Sequence, residues 1–412
     1  NGDGTYTDVT GASGTGEPRW SAAAAFFDAE GDGDLDLFVV NYVDFNLATV
    51  KPCSNTDGRP DYCGPLSYEP EPDRLFLNDG DGTFTDASGR AGIHAAYGRG
   101  LGVVTADFDD DGRTDVYVAN DGMANFLWMN EGAGRFRERA VLAGTAVNAR
   151  GVAEASMGVD ADDVDNDGDD DLFMTHLIEE SNTLYRNEGG GLFMDATAAT
   201  RLGAPSLPYT GFGTAFLDAD TDGWLDVVVA NGAVKKIARL ERAGDPYPLH
   251  EPNHFYRNRG DGTFEDATAE AGAVFARSEV SRAMAVGDVD NDGDPDVLLS
   301  NNSGPARLLV NQRGQDRHWV GLRLLDAAGR DAVGARVTVT LADGTVRHRR
   351  ARTDGSYASA RDPRVLVGLG AAAGPVRVVV RWPGGRREAW EAVAPDRYTT
   401  LTEGTGQPVP AS

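Results

Sequence analysis

One loop recurs five times in this chain: Asp-x-Asp/Glu-x-Asp-Gly-x-x-Asp, each copy followed by a short apolar run. Its acids at positions 1, 3, 5 and 9 are Asp28, Glu30, Asp32, Asp36; Asp107, Asp109, Asp111, Asp115; Asp163, Asp165, Asp167, Asp171; Asp218, Asp220, Asp222, Asp226; and Asp288, Asp290, Asp292, Asp296. Four carboxylates within nine residues repel one another. Such a loop is stable mainly around a hard cation, and all-oxygen loops of this kind suit Ca2+. The glycine at position 6 permits the sharp turn between ligands, because it alone adopts positive φ cheaply. Spacings of 79, 56, 55 and 70 residues make the metal loop a unit of architecture, with about five Ca2+ expected per chain.

An EF-hand begins in the same way but needs a bidentate Glu at position 12. Here position 12 is Val39, Val118, Met174, Val229 or Leu299, each inside a short run such as Val227-Val228-Val229-Ala230. These runs read as buried strands, so the loop joins two strands rather than two helices. A second element follows each of the first four loops: an Asn, a Gly-rich turn and a Phe, at Asn78 to Phe84, Asn130 to Phe136, Asn187 to Phe193 and Asn258 to Phe264. Gly-rich turns between apolar residues signal hairpins. Each unit thus has four strands, and four-stranded units repeated around an axis predict a β-propeller.

The loops and hairpins resemble FG-GAP/VCBS repeats, the calcium-loop repeats of the integrin α-subunit propeller. The stretches His318-Trp319-Val320-Gly321, Val333 to Val337, Gly355-Ser356-Tyr357, Val367 to Gly370 and Arg381-Trp382-Pro383-Gly384-Gly385 resemble the ASPIC/UnbV domain. The pair is the layout of the cartilage acidic protein family and its bacterial relatives. This resemblance implies an all-β chain, with a Ca2+-binding propeller over 1–311, a β-sandwich-like domain over 312–405 and a tail over 406–412. It also implies that the twenty loop acids are Ca2+ ligands. Glu30, longer by one methylene than the usual Asp or Asn, marks loop one as the weaker site. Proteins of this layout have about seven repeats, and Asn1-Gly2-Asp3-Gly4-Thr5-Tyr6 is itself a copy of the hairpin turn. Two expectations follow: one or two further blades N-terminal to this sequence, or closure of the ring by a strand at residues 3–9.

The formal net charge of -27 is uneven. Residues 1–311 hold 55 acidic and 22 basic side chains; residues 312–412 hold 16 Arg, no Lys and 10 acids. An acidic propeller repels phosphates, which argues against nucleic acid as a partner. The Arg residues of the last hundred positions are scattered along alternating strands and read as a solvated surface. Cys53 and Cys63 sit in one insertion and read as a local disulfide of an exported protein. Weak loops also fill best at extracellular Ca2+ levels. The expected location is therefore extracellular or periplasmic; no signal peptide is visible in the sequence, and no apolar stretch is long enough to span a membrane.

Chain direction assigns a face. If the first strand of each unit runs down to its metal loop, both long insertions, 41–72 and 231–253, lie on the opposite, upper face. Loops on a rigid scaffold commonly carry function. That face should hold Tyr42, the disulfide, Asp121, Asn125, Glu154, His176, Glu179, Glu180, Lys235, Lys236, His250 and His254. It could take a protein, glycan or small-molecule ligand. No zinc-protease, nucleophile-elbow or phosphate-loop motif is present. His176 with Glu179 and Glu180 is the one tight acid–base cluster, and these three are the candidate catalytic residues. The leading expectation is a recognition module with structural Ca2+. The alternative is a Ca2+-supported enzyme of lyase or cyclase type, as bacterial relatives in natural-product pathways imply.

Overall fold

A computed structural model describes residues 1, 3–54 and 58–410. It contains five antiparallel blades in chain order. Blade one is Ser21–Phe27, Asp36–Asn41, Arg74–Asn78 and Phe84–Asp86. Blade two is Gly100–Ala106, Asp115–Asn120, Phe126–Gly132 and Arg135–Glu138. Blade three is Val159–Asp162, Asp171–Met174, Thr183–Asn187 and Phe193–Asp195. Blade four is Gly211–Leu217, Asp226–Asn231, His254–Asn258 and Phe264–Asp266. Blade five has three strands, Ser281–Gly287, Asp296–Asn301 and Arg307–Leu309, not the four expected. After Asn311 the chain leaves for the second domain instead of turning back.

The first strands of successive blades lie side by side around an axis. Each pair of neighbouring blades buries its own apolar cluster. Phe27, Leu77, Val116 and Trp128 fill the space between blades one and two. Phe173, Phe216, Val227 and Tyr256 fill that between three and four. Each such side chain contributes roughly 1.5–3 kcal/mol by leaving water, so face-to-face blade packing is the main source of stability.

Among the described residues the ring is not closed between blades five and one. Phe38, Tyr117 and Phe173 are fully buried, whereas Leu298 at the same place in blade five is 48% exposed. Phe26 of blade one is 45% exposed, while its counterparts Thr105, Ala161, Phe216 and Val286 are buried. The expectation that residues 3–9 close the ring fails: they form no strand, and Tyr6 is 96% exposed. Gly2 of that hairpin copy lies outside the described residues.

The remaining strands form two sheets. His318–Leu325 lies between Val365–Gly370 and, in parallel, Tyr398–Thr402. The second sheet orders Val346–Arg350, Arg336–Thr340, Val376–Arg381, Arg387–Val393 and Gln407–Pro408. Val320, Leu322, Val337, Val339, Val367, Val378 and Trp382 are sealed between them. Gln407–Pro408 pairs with Glu388 and Ala389, so the stretch read as a tail contains a strand.

This domain is docked on the propeller rather than appended. The segment 352–362 enters the propeller axis. Ser356 exchanges both backbone hydrogen bonds with Val159, at 3.2 and 2.7 Å. Thr105 donates to Asp354, Thr214 N–H donates to Ser356 Oγ at 3.2 Å, and Asp362 N–H donates to Val286 O at 3.0 Å. Inner strands of four blades thereby find partners for edge groups that must be paired once buried.

Candidate metal centres

The five loops share one internal geometry. The Asp at position 1 accepts the N–H of the position-6 glycine: Gly33 to Asp28 at 2.9 Å, Gly112 to Asp107 at 3.0 Å, Gly168 to Asp163 at 2.9 Å, Gly223 to Asp218 at 2.8 Å and Gly293 to Asp288 at 2.9 Å. These glycines hold φ between 89° and 105°, which an L side chain rarely adopts. The Asp at position 9 opens the second strand and is buried in every copy. One of its oxygens accepts the N–H of position 2; the other accepts the N–H of the repeat's Asn near the end of the third strand, as in Phe108 and Asn130 on Asp115, at 3.0 and 2.7 Å.

Four trios of carboxylates bring ligand oxygens within 4.8 Å of one another: Asp107, Asp109, Asp115; Asp163, Asp165, Asp171; Asp218, Asp220, Asp222; and Asp288, Asp290, Asp296. Among the described residues no such trio forms in loop one, the copy carrying Glu30. Burial, together with neighbouring acids, pushes Asp115 and Asp163 up to about 8 and Asp36 to about 6. The same causes raise Asp171 and Asp226 well above the carboxylate range. Asp165 Oδ1 is buried with no partner. An all-oxygen donor set of this kind fits a hard divalent cation.

Several of the Arg residues read as solvated are in fact set against these loops or the propeller's inner strands, while Arg323, Arg377 and Arg386 stay at the surface of their own domain. Arg349, Arg350 and Arg352 are 6, 7 and 3% exposed. Arg330 reaches Asp34 at 2.7 Å beside loop one. Arg381 pairs with Asp107 and, at 2.8 Å, with Asp110 in loop two. Arg336 donates to Gly168 O at 2.9 Å in loop three, and Arg349 to Gly223 O at 3.0 Å in loop four. In loop five Arg364 donates to Asp288 O at 2.7 Å, and Tyr398 Oη donates to Asp288 Oδ2 at 2.8 Å. At the axis Arg352 pairs with Asp160 and with Asp162 at 3.2 Å. Positive charges on one domain thus meet the acidic face of the other. The pattern was in the composition, but the partners lie far away in the chain.

On the opposite face His176 and Glu180 come together with Glu154. His176 is 2% exposed; its Nδ1 lies 2.8 Å from Ser181 O and its Nε2 3.1 Å from Ser156 Oγ. Nδ1 therefore carries the proton and Nε2 accepts from the serine. Glu154 Oε2 is 3.9 Å from Nε2, and Glu180 Oε2 accepts Ala155 N–H at 2.9 Å. Burial drives His176 down to about 4. Glu179 stands exposed with φ at 74° and does not join them. Lys235 and Lys236 are exposed, while His254 is buried beside Asn231 at 3.1 Å. Asn125 holds Asn120 N–H at 2.8 Å, and His250 stacks on Tyr247. Tyr42 donates to Asp121 at 2.6 Å, and Tyr357 from the axial segment packs on Phe212. Cys53 and Cys63 are bonded. Trp20 contacts Tyr42 and Phe45, and Phe45 contacts Tyr68.

The fold and loops define an all-β propeller of repeated acidic loops with a second β domain. The signature of FG-GAP-like repeats matches residues 55–118, 107–174, 163–229 and 244–299, more than half of the chain, and that of ASPIC and UnbV matches 326–408. The chain belongs to the FG-GAP-like repeat family and carries an ASPIC/UnbV domain. It is homologous to cartilage acidic protein 1: 27% identical to the Homo sapiens protein and 26% to that of Mus musculus, each over 295 residues. These alignments take in 69% of this chain and 40 and 41% of the relatives, so the chain spans about two fifths of their length. Among solved structures, the Dos1 propeller is similar at TM-score 0.38 and 10% identity, over 92% of this chain and 83% of that one. An Agrocybe aegerita lectin that recognises non-reducing terminal N-acetylglucosamine gives 0.34 and 16%, over 72 and 83%. The exotype rhamnogalacturonan lyase YesX gives 0.35 and 16%, over 92 and 62%.

Proposed function

We propose that this chain is a calcium-stabilised interaction module, secreted or periplasmic, whose ligand docks on the face opposite the metal loops. One observation carries the choice of face: the loop face is occupied by the chain's own Arg-rich domain, through Arg330, Arg336, Arg349, Arg364 and Arg381. The opposite face presents Trp20, 49% exposed, and Tyr62, 60% exposed, around the disulfide-closed insertion. Partly exposed aromatic rings provide stacking surface at low entropy cost, which suits a glycan, a peptide or a small planar ligand. The boundary between the two domains is kept at residue 311, and the second domain takes in the strand Gln407–Pro408.

The loop acids hold about five Ca2+, with loop one the weakest site. Each ion binds the folded loop and not the unfolded chain, adding about 2.7 kcal/mol at a hundredfold excess over Kd. Metal analysis of the purified chain together with thermal unfolding tests this. Bound Ca2+ and a large fall in Tm with chelator support the reading; metal-free loops with an unchanged Tm refute it. The lyase or cyclase alternative draws no support from His176, since Ser181 and Ser156 take both ring nitrogens and Glu154 sits on the accepting side.

A further inference from the structure

Four asparagines link neighbouring metal loops directly. Asn187 and Asn258 end the third strands of their blades; Asn130 lies near the end of its third strand, and Asn311 lies just beyond one. Each side chain crosses to the preceding blade and donates through Nδ2 to the carbonyl at position 2 of that blade's loop. The acceptors are Ala29 at 3.0 Å, Phe108 at 2.9 Å, Val164 at 3.0 Å and Ala219 at 2.8 Å. The backbone N–H of each Asn donates to the position-9 Asp of its own loop, at 2.7 Å on Asp115 and 2.8 Å on Asp171, Asp226 and Asp296. The residue at position 2 donates its own N–H to the position-9 Asp of its loop, as Ala29 does to Asp36 at 2.7 Å and Val164 to Asp171 at 3.1 Å. A chain of contacts through carboxylate, position-2 residue, asparagine and carboxylate therefore runs from loop one to loop five. Asn130, Asn187 and Asn258 are 4, 1 and 5% exposed, so water does not bypass it.

We infer that these asparagines are positioning residues that couple adjacent metal loops, so that an ion in one loop raises the affinity of the next. An ion fixes the position-9 Asp as an anion in one place. Hydrogen bonds to an anionic acceptor are shorter and stronger. Held by its N–H, the position-2 residue keeps its carbonyl, on the next peptide unit, in a fixed direction, which positions the Asn and, through it, the next Asp. This rests on reading the loops as metal sites.

Loop four has a reporter. Trp224 occupies its position 7, donating its backbone N–H to Asp222 at 2.9 Å, so its indole can sensitise terbium(III) bound there. Trp319 lies against Gly293 of loop five, and a W224F chain isolates its contribution. Terbium is titrated into the full chain, with and without Asp167→Asn to disable loop three. The expected result is a rise of about fivefold in the loop-four midpoint when loop three is disabled, the lower range of ordinary coupling. In the Asn258→Ala background the same disabling leaves the midpoint unmoved, a double-mutant cycle that lost stability alone does not produce. Should Asn258→Ala fail to fold, Asn311→Ala is used, with Asp222→Asn disabling loop four and Trp319 reporting loop five. An unmoved midpoint in the unsubstituted-Asn chain, or an equal shift with and without the Asn, overturns the coupling. A chain that takes up no ion fails the metal reading itself, whereas ions bound independently fail only this inference.

Discussion

Arg352 shows how much a single side chain carries in this molecule. It is 3% exposed and faces Asp160 and Asp162 across the domain boundary. Removing one partner of a buried ion pair strands the other charge, at about 3–5 kcal/mol. Arg352→Ala should lower stability by that amount in urea unfolding; a change below 1 kcal/mol would show that Asp160 and Asp162 find other partners. Gly293 is equally constrained, since a Cβ there would meet the Trp319 ring at 1.8 Å. Gly293→Ala should expose Trp319, read as a red shift and stronger quenching of its fluorescence. His176 sets an acid limit. Its unfolded form takes a proton near 6.5, its folded form only near 4. Below 6.5 the unfolded state binds more protons, so this contribution to stability is lost as pH falls from 6.5 to 4. His176→Gln should remove that part of the slope of urea midpoint against pH; an unchanged slope would refute it.

At the scale of the element, the proposed metal reading predicts that the acidic loop responds to pH in opposite directions with and without an ion. In chelator, burial holds Asp115 and Asp163 up at about 8. The folded state then keeps protons that the unfolded chain has released. The stabilisation is full below about 4 and is lost as pH rises toward 8. Ca2+ binds only the carboxylates, so the loaded chain should gain stability over the same interval. Melting temperatures at pH 5 and pH 8, with chelator and with Ca2+, should therefore cross; parallel trends would show that no ion fills the loops. Why the loop is legible as an element is also clear here. All four acids fall within nine residues, so spacing alone brings three of them together in loops two to five, though among the described residues no trio forms in loop one. The four-strand unit was legible for the same reason in blades one to four, where the Asn and the Gly-rich turn follow. Blade five departs because Asn311 leads into the second domain, and no hairpin turn follows it in the sequence.

Over the whole molecule, two opposed charge distributions meet: an acidic loop face and an Arg-rich domain. If the loops hold Ca2+ as proposed, removing it leaves the loop acids to the arginines alone. Chelation should therefore lower the Tm of the entire chain steeply, with Ca2+ restoring it and Mg2+ restoring it poorly, because Mg2+ demands octahedral geometry and sheds water reluctantly. A fall confined to one minor transition would contradict this coupling of the domains.

Composition and spacing were sufficient for the acidic loops, the strands that flank them and the β-propeller class, because every residue involved is a near neighbour in the chain. The disulfide was legible on the same ground, with Cys53 and Cys63 in one insertion. Tertiary structure alone decided the rest. Arg352 meets Asp160 across 192 residues, Arg330 meets Asp34 across 296, and Ser356 pairs with Val159 inside the propeller axis. Asn258 reaches Val164 across 94 residues. A carboxylate or amide side chain looks the same in sequence whether it faces water or a distant strand. Only the packing of blades, driven by apolar burial, brings such groups together and removes the water that would otherwise satisfy them.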